Sequence, residues 1–340
     1  MKIRLILITL AMILICISAK SLHGMGMEVE GEGLGMAVPD EDQGMEVAKE
    51  LVTVYLTEEE TAALEEEMLI ISQRQKNLDQ QLRTAIVTRN WENIVDLLIK
   101  GADPNTLDAH GNTVLHVAAM PNAWSLCPPI EPFIQSTNLA DPIFNSTSSR
   151  IDPNIRNKEG LTPLLVATND SYPPGNPHLV KSLLRHGANP NATDPKGNSA
   201  LHYRAGKTRG ADLILLLEYG ANPNKQNDQG DTPLHLAVNR SGKFAYSDTN
   251  ARIILAKDGN PNIGDRHGRT SLHLAAMLGC TKLAEILLMA GASPQAIALD
   301  GKTPLELAVE RERREQKNDG IVRMLSSARR QGDTAHRIEK

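Results

Sequence analysis

A chain of 340 residues has room for two domains, and its net charge of −5 gives no basic stripe of the kind that marks a nucleic-acid-binding surface. Three cysteines, Cys16, Cys127 and Cys280, are too few and too scattered for a disulfide framework. The charge is unevenly placed: residues 20–82 carry 15 acidic and 4 basic residues, or −11, and the chain beyond them is mildly basic.

Residues 1–19 have the three parts of a signal peptide: Lys2 and Arg4, the apolar run Leu5 to Ile17, then Ser18-Ala19. The run is shorter than the roughly twenty residues a membrane span needs. Cleavage after Ala19 is expected, with an uncleaved anchor as the alternative; either way the protein is exported, to a periplasm, an envelope or the medium. Cleavage leaves no stable membrane span. Residues 20–50 are rich in Gly, Met and acid without apolar period, and read as a disordered linker. Their His23, Met25, Met27 and Met36 are donors of the type that holds Cu(I), so a metal-binding linker is an alternative reading. The primary expectation is no metal and no cofactor.

Residues 51–82 form a helical segment. Thr57 and Glu60 have capping-box spacing, and Leu64, Met68, Ile71, Leu78 and Leu82 follow helical steps with Gln75 interrupting. This helix either caps the first unit of the array beyond it or pairs with a second copy as a short coiled coil. Arg83 to Lys100 then supplies a helix pair.

From Thr113 the chain repeats itself. TVLHVAA, TPLLVAT, SALHYRA, TPLHLAV, TSLHLAA and TPLELAV begin at 113, 162, 199, 232, 270 and 303, and a second marker keeps the same rhythm: GADPN at 101, IDPN at 151, GANPN at 187 and 220, DGNPN at 258 and GASPQ at 291. Two markers that share one irregular spacing, with a base period near 33 residues, have the signature of a solenoid. Thr or Ser before Pro starts a short apolar helix. A second helix such as Leu283 to Leu288 ends at a glycine, Gly291, suited to a left-handed cap. Turn formers follow. Neither helix can bury its apolar face alone, so each pair must stack on its neighbours.

In these residues, from about 82 to 325, the chain resembles the ankyrin repeat family. The resemblance implies an all-α fold: an ankyrin-repeat solenoid of stacked helix-turn-helix units with β-turn fingers, occupying 83–326, with 327–340 as a polar tail. It also implies recognition of a protein partner on the concave side, through finger tips and the exposed ends of the first helices. Carried onto this chain, the contact residues are His110, Asn112, Lys158, Glu159, Lys196, Asn198, Asp228, Gln229, Asp231, Arg266, His267, Arg269 and Lys302, with Arg204, Asn239, Arg240, Met277 and Leu278 at helix ends. Departures occur where Val114 and Ala200 replace Pro and Leu165 replaces His. A continuous groove is therefore expected from Asp194 to Lys302.

The extra residues of the long units fall in one slot, between first and second helix: about 121–150, 169–177 and 239–249. Six of the ten aromatic residues lie there. Phe133 and Phe144 are as readily read as patching the core, whereas Trp124, Tyr172, Phe244 and Tyr246 mark a second candidate face, because Tyr and Trp anchor interfaces.

No chemistry stands out. His116, His202, His235 and His273 sit a repeat apart and cannot converge on a metal; the resemblance implies that they bond turn and helix backbone. Ala205-Gly206-Lys207-Thr208 lacks the leading glycine of a phosphate loop. The chain is expected to bind without catalysing. The alternative is a self-associating spacer of the envelope, held together through residues 57–82.

Overall fold

The computed structural model describes residues 58–120, 143–144, 151–169, 177–206, 211–239, 247–316 and 320–338. The chain divides into two compact units between Gln80 and Gln81. The expected leader, the acidic linker with its Met and His residues, and Thr57 lie outside the described residues.

Helix α1 runs Glu58–Thr88 without a break. The expectation of a separate helix starting at Arg83 is corrected here: nothing between Glu58 and Thr88 is Pro or Gly, so no residue stops the first helix before it enters the repeats. It ends where Arg89 turns left-handed, with φ 52°. Asn90 then caps α2 (Trp91–Ile99), its side chain accepting from the Asn93 N–H at 3.1 Å. Within the repeat unit Leu82, Ala85 and Ile86 are buried, as are Trp91, Ile94, Leu97 and Leu98.

The first helices of the later repeats are α3 (Val114–Ala119), α4 (Pro163–Thr168), α6 (Ala200–Ala205), α8 (Pro233–Asn239), α10 (Ser271–Leu278) and α12 (Pro304–Glu315). Their partners are α5 (Pro177–Arg185), α7 (Ala211–Glu218), α9 (Ser247–Ala256), α11 (Thr281–Met289) and α13 (Ile321–Ile338). Two helical layers result: α3, α4, α6, α8, α10 and α12 pack each on the next, and so do α5, α7, α9, α11 and α13. Among the described residues there is no strand, only an isolated bridge between Thr193 and Ser199. The array is an all-helical solenoid with turn fingers.

Two columns of the repeat motif explain the fit. Leu115, Leu164, Leu201, Leu234 and Leu272 are at most 1% exposed, and truncating such a leucine typically costs about 2–5 kcal/mol. Three positions on, Ala118, Ala167, Ala237, Ala275 and Ala308 are small enough for neighbouring first helices to approach closely. In that alanine column the third unit carries Arg204. The expectation of Arg204 as an exposed contact residue is corrected: it is 5% exposed, donates from Nη2 to the Ala167 carbonyl of the preceding repeat at 2.8 Å, and lies 3.4 Å from the Asp212 carboxylate. Its long side chain reaches across the stack from an alanine position. Burial pushes the Asp212 carboxyl up and the nearby Arg204 charge opposes it.

The insertion slot is where the sequence placed it, since the gaps between α4 and α5 and between α8 and α9 hold the extra residues. Of the inserts themselves only Ile143 and Phe144 are described in the first. Both are buried, and the Phe144 ring stacks on His186 with centroids 3.8 Å apart and planes 6° apart. Phe144 thus patches the core. Phe133, Trp124, Tyr172, Phe244 and Tyr246 lie outside the described residues. Cys280 is half-buried at the N-cap position of α11. At the C-terminus α13 continues to Ile338, through residues expected as a polar tail; Ile321 and Leu325 anchor it, and no proline interrupts it.

A buried ion pair that loses one partner leaves an uncompensated charge, which costs about 3–5 kcal/mol. Arg204→Ala is expected to lower stability by roughly 3 kcal/mol in urea denaturation. Adding Asp212→Ala, which also removes the orphaned carboxylate, should recover most of that loss.

Candidate functional site

Five of the fingers are each built by one side chain. In the fingers at 108, 157, 194, 227 and 265, an Asp or Asn side-chain oxygen accepts the N–H groups two and four residues on. Asp194 Oδ1 takes those of Lys196 and Asn198, both at 2.8 Å, and Asp265 Oδ1 those of His267 and Arg269 at 2.8 and 2.9 Å. Asp108, Asn157 and Asn227 do the same. Such Asx turns are the reason short polar residues specify this loop. Burial raises the Asp194 carboxyl, but the Tyr203 hydroxyl at 2.6 Å and the Asn198 and Lys196 donors outweigh it and hold the group below its ordinary value.

Neighbouring fingers are then joined backbone to backbone. Lys158 N–H donates to the His110 carbonyl, Asp228 to Lys196, Arg266 to Gln229 and Leu299 to His267, at 2.9–3.1 Å. One rung is chemically impossible: the corresponding donor of the 194 finger is Pro195, which has no N–H. There Arg156 bridges instead, donating from Nη1 to the carbonyls of Gly160 at 2.5 Å and Thr193 at 2.6 Å. The backbone ladder is therefore unbroken from Lys196 to Leu299, close to the stretch expected as a continuous groove. Gly230 shows how tight the joint is, for with φ 72° a Cβ there would come within 2.6 Å of the Arg266 nitrogen.

Behind the fingers the histidine row holds the next repeat. His202 Nδ1 accepts from the Ser199 N–H at 3.1 Å, so the proton resides on Nε2, which donates to the Asp231 carbonyl at 3.0 Å. His116, His235 and His273 join Leu161, Arg269 and Lys302 in the same way. Where Leu165 replaces His this bond has no donor. In the last unit Glu306 replaces His and caps its own Thr303, with the two N-cap bonds at 2.7 and 2.8 Å.

A third tie uses the second marker. The final Asn of each Asp-Pro-Asn or Asn-Pro-Asn accepts the N–H of the next repeat: Asn105 from Asp152, Asn154 from Asn189, Asn191 from Asn222, Asn224 from Asn260 and Asn262 from Ser293, at 2.7–2.8 Å. The four from Asn154 onward also donate to the carbonyl of the residue two before that N–H, at 2.9–3.0 Å. By residue type these asparagines read only as turn formers; stacking makes them staples between repeats.

The residues expected to contact a partner separate into two groups. His110, Lys158, Glu159, Lys196, Asp228, Gln229, Arg266 and His267 are exposed on the fingers, and Met277 and Leu278 are exposed at the end of α10. Asn112 is buried, and its side chain bonds Asp108 and Asn157. Asn198 likewise bonds Asp194 and Asn227. Asp231 is half-buried, its carboxyl pushed up by burial against the pull of His235. Arg269 is pinned by Asp265 at 2.7 Å, and Lys302 by Glu310 at 2.7 Å. These five hold the ladder or are already paired. Asn239 is exposed, and Arg240 lies outside the described residues.

Sequence reasoning missed Ile297 and Leu299, 67% and 79% exposed on the last finger, and Leu107, 40% exposed on the first. The signal was present: comparing finger columns shows Leu299 where the fingers before it carry Lys158, Pro195, Asp228 and Arg266. Among the described residues no group of His, Cys, Asp or Glu is placed to hold a metal, and no helix is long and apolar enough to cross a membrane.

A helical solenoid whose fingers, histidines and asparagines each bond the following repeat defines a class of repeat protein. The family model for ankyrin repeats (3 copies) matches residues 135–227 and 204–298. Similar proteins include nuclear factor NF-kappa-B p105 subunit of Gallus gallus, 29% identical over 255 residues, which are 74% of this chain and 20% of that protein. Palmitoyltransferase ZDHHC17 of Danio rerio is 32% identical over 240 residues, 70% of this chain and 34% of that protein. Intracellular phospholipase A2 of Caenorhabditis elegans is 32% identical over 215 residues, 63% of this chain and 16% of that protein. The chain is an ankyrin-repeat protein. It spans between 16% and 34% of the length of these relatives, two of which bear the names of enzymes.

Burial lowers the pKa of all four ladder histidines, that of His202 from 6.5 to about 4, because desolvation of a charged imidazole outweighs the pull of the carbonyl each ring bonds. A group whose folded pKa lies below its unfolded value stabilises the fold fully above about pH 6.5 and loses that contribution as pH falls toward about 4. For His202 the loss is roughly 3 kcal/mol. Urea midpoints measured from pH 7 down to pH 4 should fall steadily, and His202→Gln should flatten the slope while lowering the midpoint at pH 7.

Proposed function

We propose that this chain is an exported, non-catalytic protein-binding module whose partner lies along the fingers and the exposed ends of the first helices. One observation carries the reading. The finger backbones are consumed by one another, while the side chains at their tips form an ordered, exposed row of mixed chemistry: Lys158 beside Glu159, Lys196, Asp228 and Gln229, Arg266 and His267, then the apolar Leu299 and Ile297. Rigid backbone with variable exposed tips costs little entropy on binding, and mixed charge around an apolar end suits a protein better than a polyanion. The leader-like residues 1–19 support export, and the relatives' ankyrin repeats support a protein as partner.

A second reading is favoured by a separate observation: Met68 to Ile71 on α1 are between 54% and 62% exposed. It makes α1 a site of self-association, and it is compatible with the first.

The partner is to be recovered with the tagged chain from the source cells and purified, and its affinity then measured directly. Replacing Arg266, His267 and Leu299 together with Ala is expected to weaken binding at least roughly tenfold, since interfaces concentrate their energy in few residues. If instead only replacement of Trp124, Tyr172, Phe244 and Tyr246 weakens it, the insert side is the binding face and the finger reading fails.

A further inference from the structure

Along α1, Leu64, Met68, Ile71, Gln75 and Leu78 alternate steps of four and three residues, the spacing of a coiled-coil seam. Met68 and Ile71 at the centre of this seam are 54% and 62% exposed. The helix is continuous from Glu58 to Thr88, so the seam is carried on the same helix that enters the repeats at Leu82. Leu69 and Ile70, also exposed, fall off the seam positions.

Charge along the helix is sharply divided. Before Met68 stand Glu58, Glu59, Glu60, Glu65, Glu66 and Glu67 with no basic residue; from Met68 to Arg83 stand Arg74, Lys76 and Arg83 against Asp79 alone. A parallel pair would lay six glutamates of one copy alongside six of the other, with Glu60 and Glu65 at facing flank positions of the heptad. Reversing one helix removes that repulsion and sets each acidic half against a basic half.

We propose that α1 pairs with α1 of a second copy of this chain in the antiparallel sense, about a twofold axis between Met68 and Ile71. The proposal rests on the self-association reading and adds its geometry. In this register Met68 packs opposite Ile71 of the second copy, and position 64 lies opposite position 75. Glu67 then faces Arg74 of the second copy across the flank of the seam, and the symmetry repeats that ion pair. Residues 58–81 of the two helices overlap, a length of about 36 Å at 1.5 Å per residue. The one like-charge encounter, position 58 with Asp79, falls at the outer ends, where helices fray. The pairing joins two finger rows in one assembly, so that a partner with repeated epitopes is held by both.

The test uses the full chain with Cys16→Ser, Cys127→Ser and Cys280→Ala. Two single-cysteine chains, Leu64→Cys and Gln75→Cys, are given different tags, mixed and oxidised. Antiparallel pairing is expected to give almost only the mixed disulfide, because these positions face each other across the dyad. Same-tag disulfides alone would show a parallel pair, overturning the orientation while leaving self-association intact. A monomeric mass at concentrations on the order of tens of micromolar, with no cross-link, would overturn both. A dimer that survives Met68→Lys with Ile71→Lys would lie elsewhere on the chain and overturn the proposal. In the cysteine-bearing wild type, Glu67→Lys alone should weaken the dimer roughly tenfold by turning two attractions into repulsions. Glu67→Lys with Arg74→Glu should restore it; absence of that rescue contradicts the Glu67 to Arg74 pairing.

Discussion

Every repeat of this protein is unfinished by itself. Its fingers end in backbone donors with no partner of their own, its short helices bury one face only, and an unpaired buried polar group costs as much as a lost hydrogen bond. Neighbouring repeats supply what is missing: a finger N–H finds its carbonyl acceptor in the repeat before it, a histidine Nε2–H finds its acceptor in the repeat after it, and the helices find apolar surface on both sides. His202, for example, caps its own helix through Nδ1 and reaches the Asp231 carbonyl of the next repeat through Nε2, so one side chain satisfies two repeats. Asn224 does the same in the loop behind, accepting from Asn260 and donating to Asp258. Stability is thereby shared between neighbours, as expected of a solenoid.

That constraint also sorts the surface. Asn112 and Asn198 spend their side chains on the neighbouring finger and Arg269 on Asp265 of its own finger, although the family motif places all three on the side proposed for binding. Residues beside them in the same turn, such as Lys196 and Arg266, have their backbone used and their side chains exposed. The divergence of Leu299 and Ile297 from the polar residues of earlier fingers gives the last finger a different chemistry. Polar tips in the middle and apolar tips at the end give the finger row a direction.

Irregular repeats keep the stack intact by substitution of means. Pro195 removes a rung, and Arg156 supplies a bridge from the neighbouring loop. Arg204 occupies an alanine column and ties two repeats through Ala167 and Asp212 instead of merely filling space. Phe144, carried in on an insert, closes the core against His186. Phe144 and Arg156 lie among the early units, whose steps are longer than about 33 residues, whereas Arg204 lies in a unit of regular length.

Much of this is legible in the sequence. The two markers in one rhythm establish the helical stack and the slot of the inserts, and the family resemblance they carry implies the structural duty of the histidines. Arg204 is legible too, once its alanine column is weighed above its charge. Repeat spacing suggests a break at Arg83, but the absence of any helix breaker is the stronger signal, and α1 runs through. What only the tertiary structure decided is which polar residues are spent across the interface: that Asn105, Asn154, Asn191, Asn224 and Asn262 are staples, that Asn112 and Asn198 are bonded away, and that Leu299 and Ile297 stand exposed. The physical reason is that residue type determines what a side chain is able to bond, whereas the partner it bonds belongs to the next repeat and is brought within reach only by stacking.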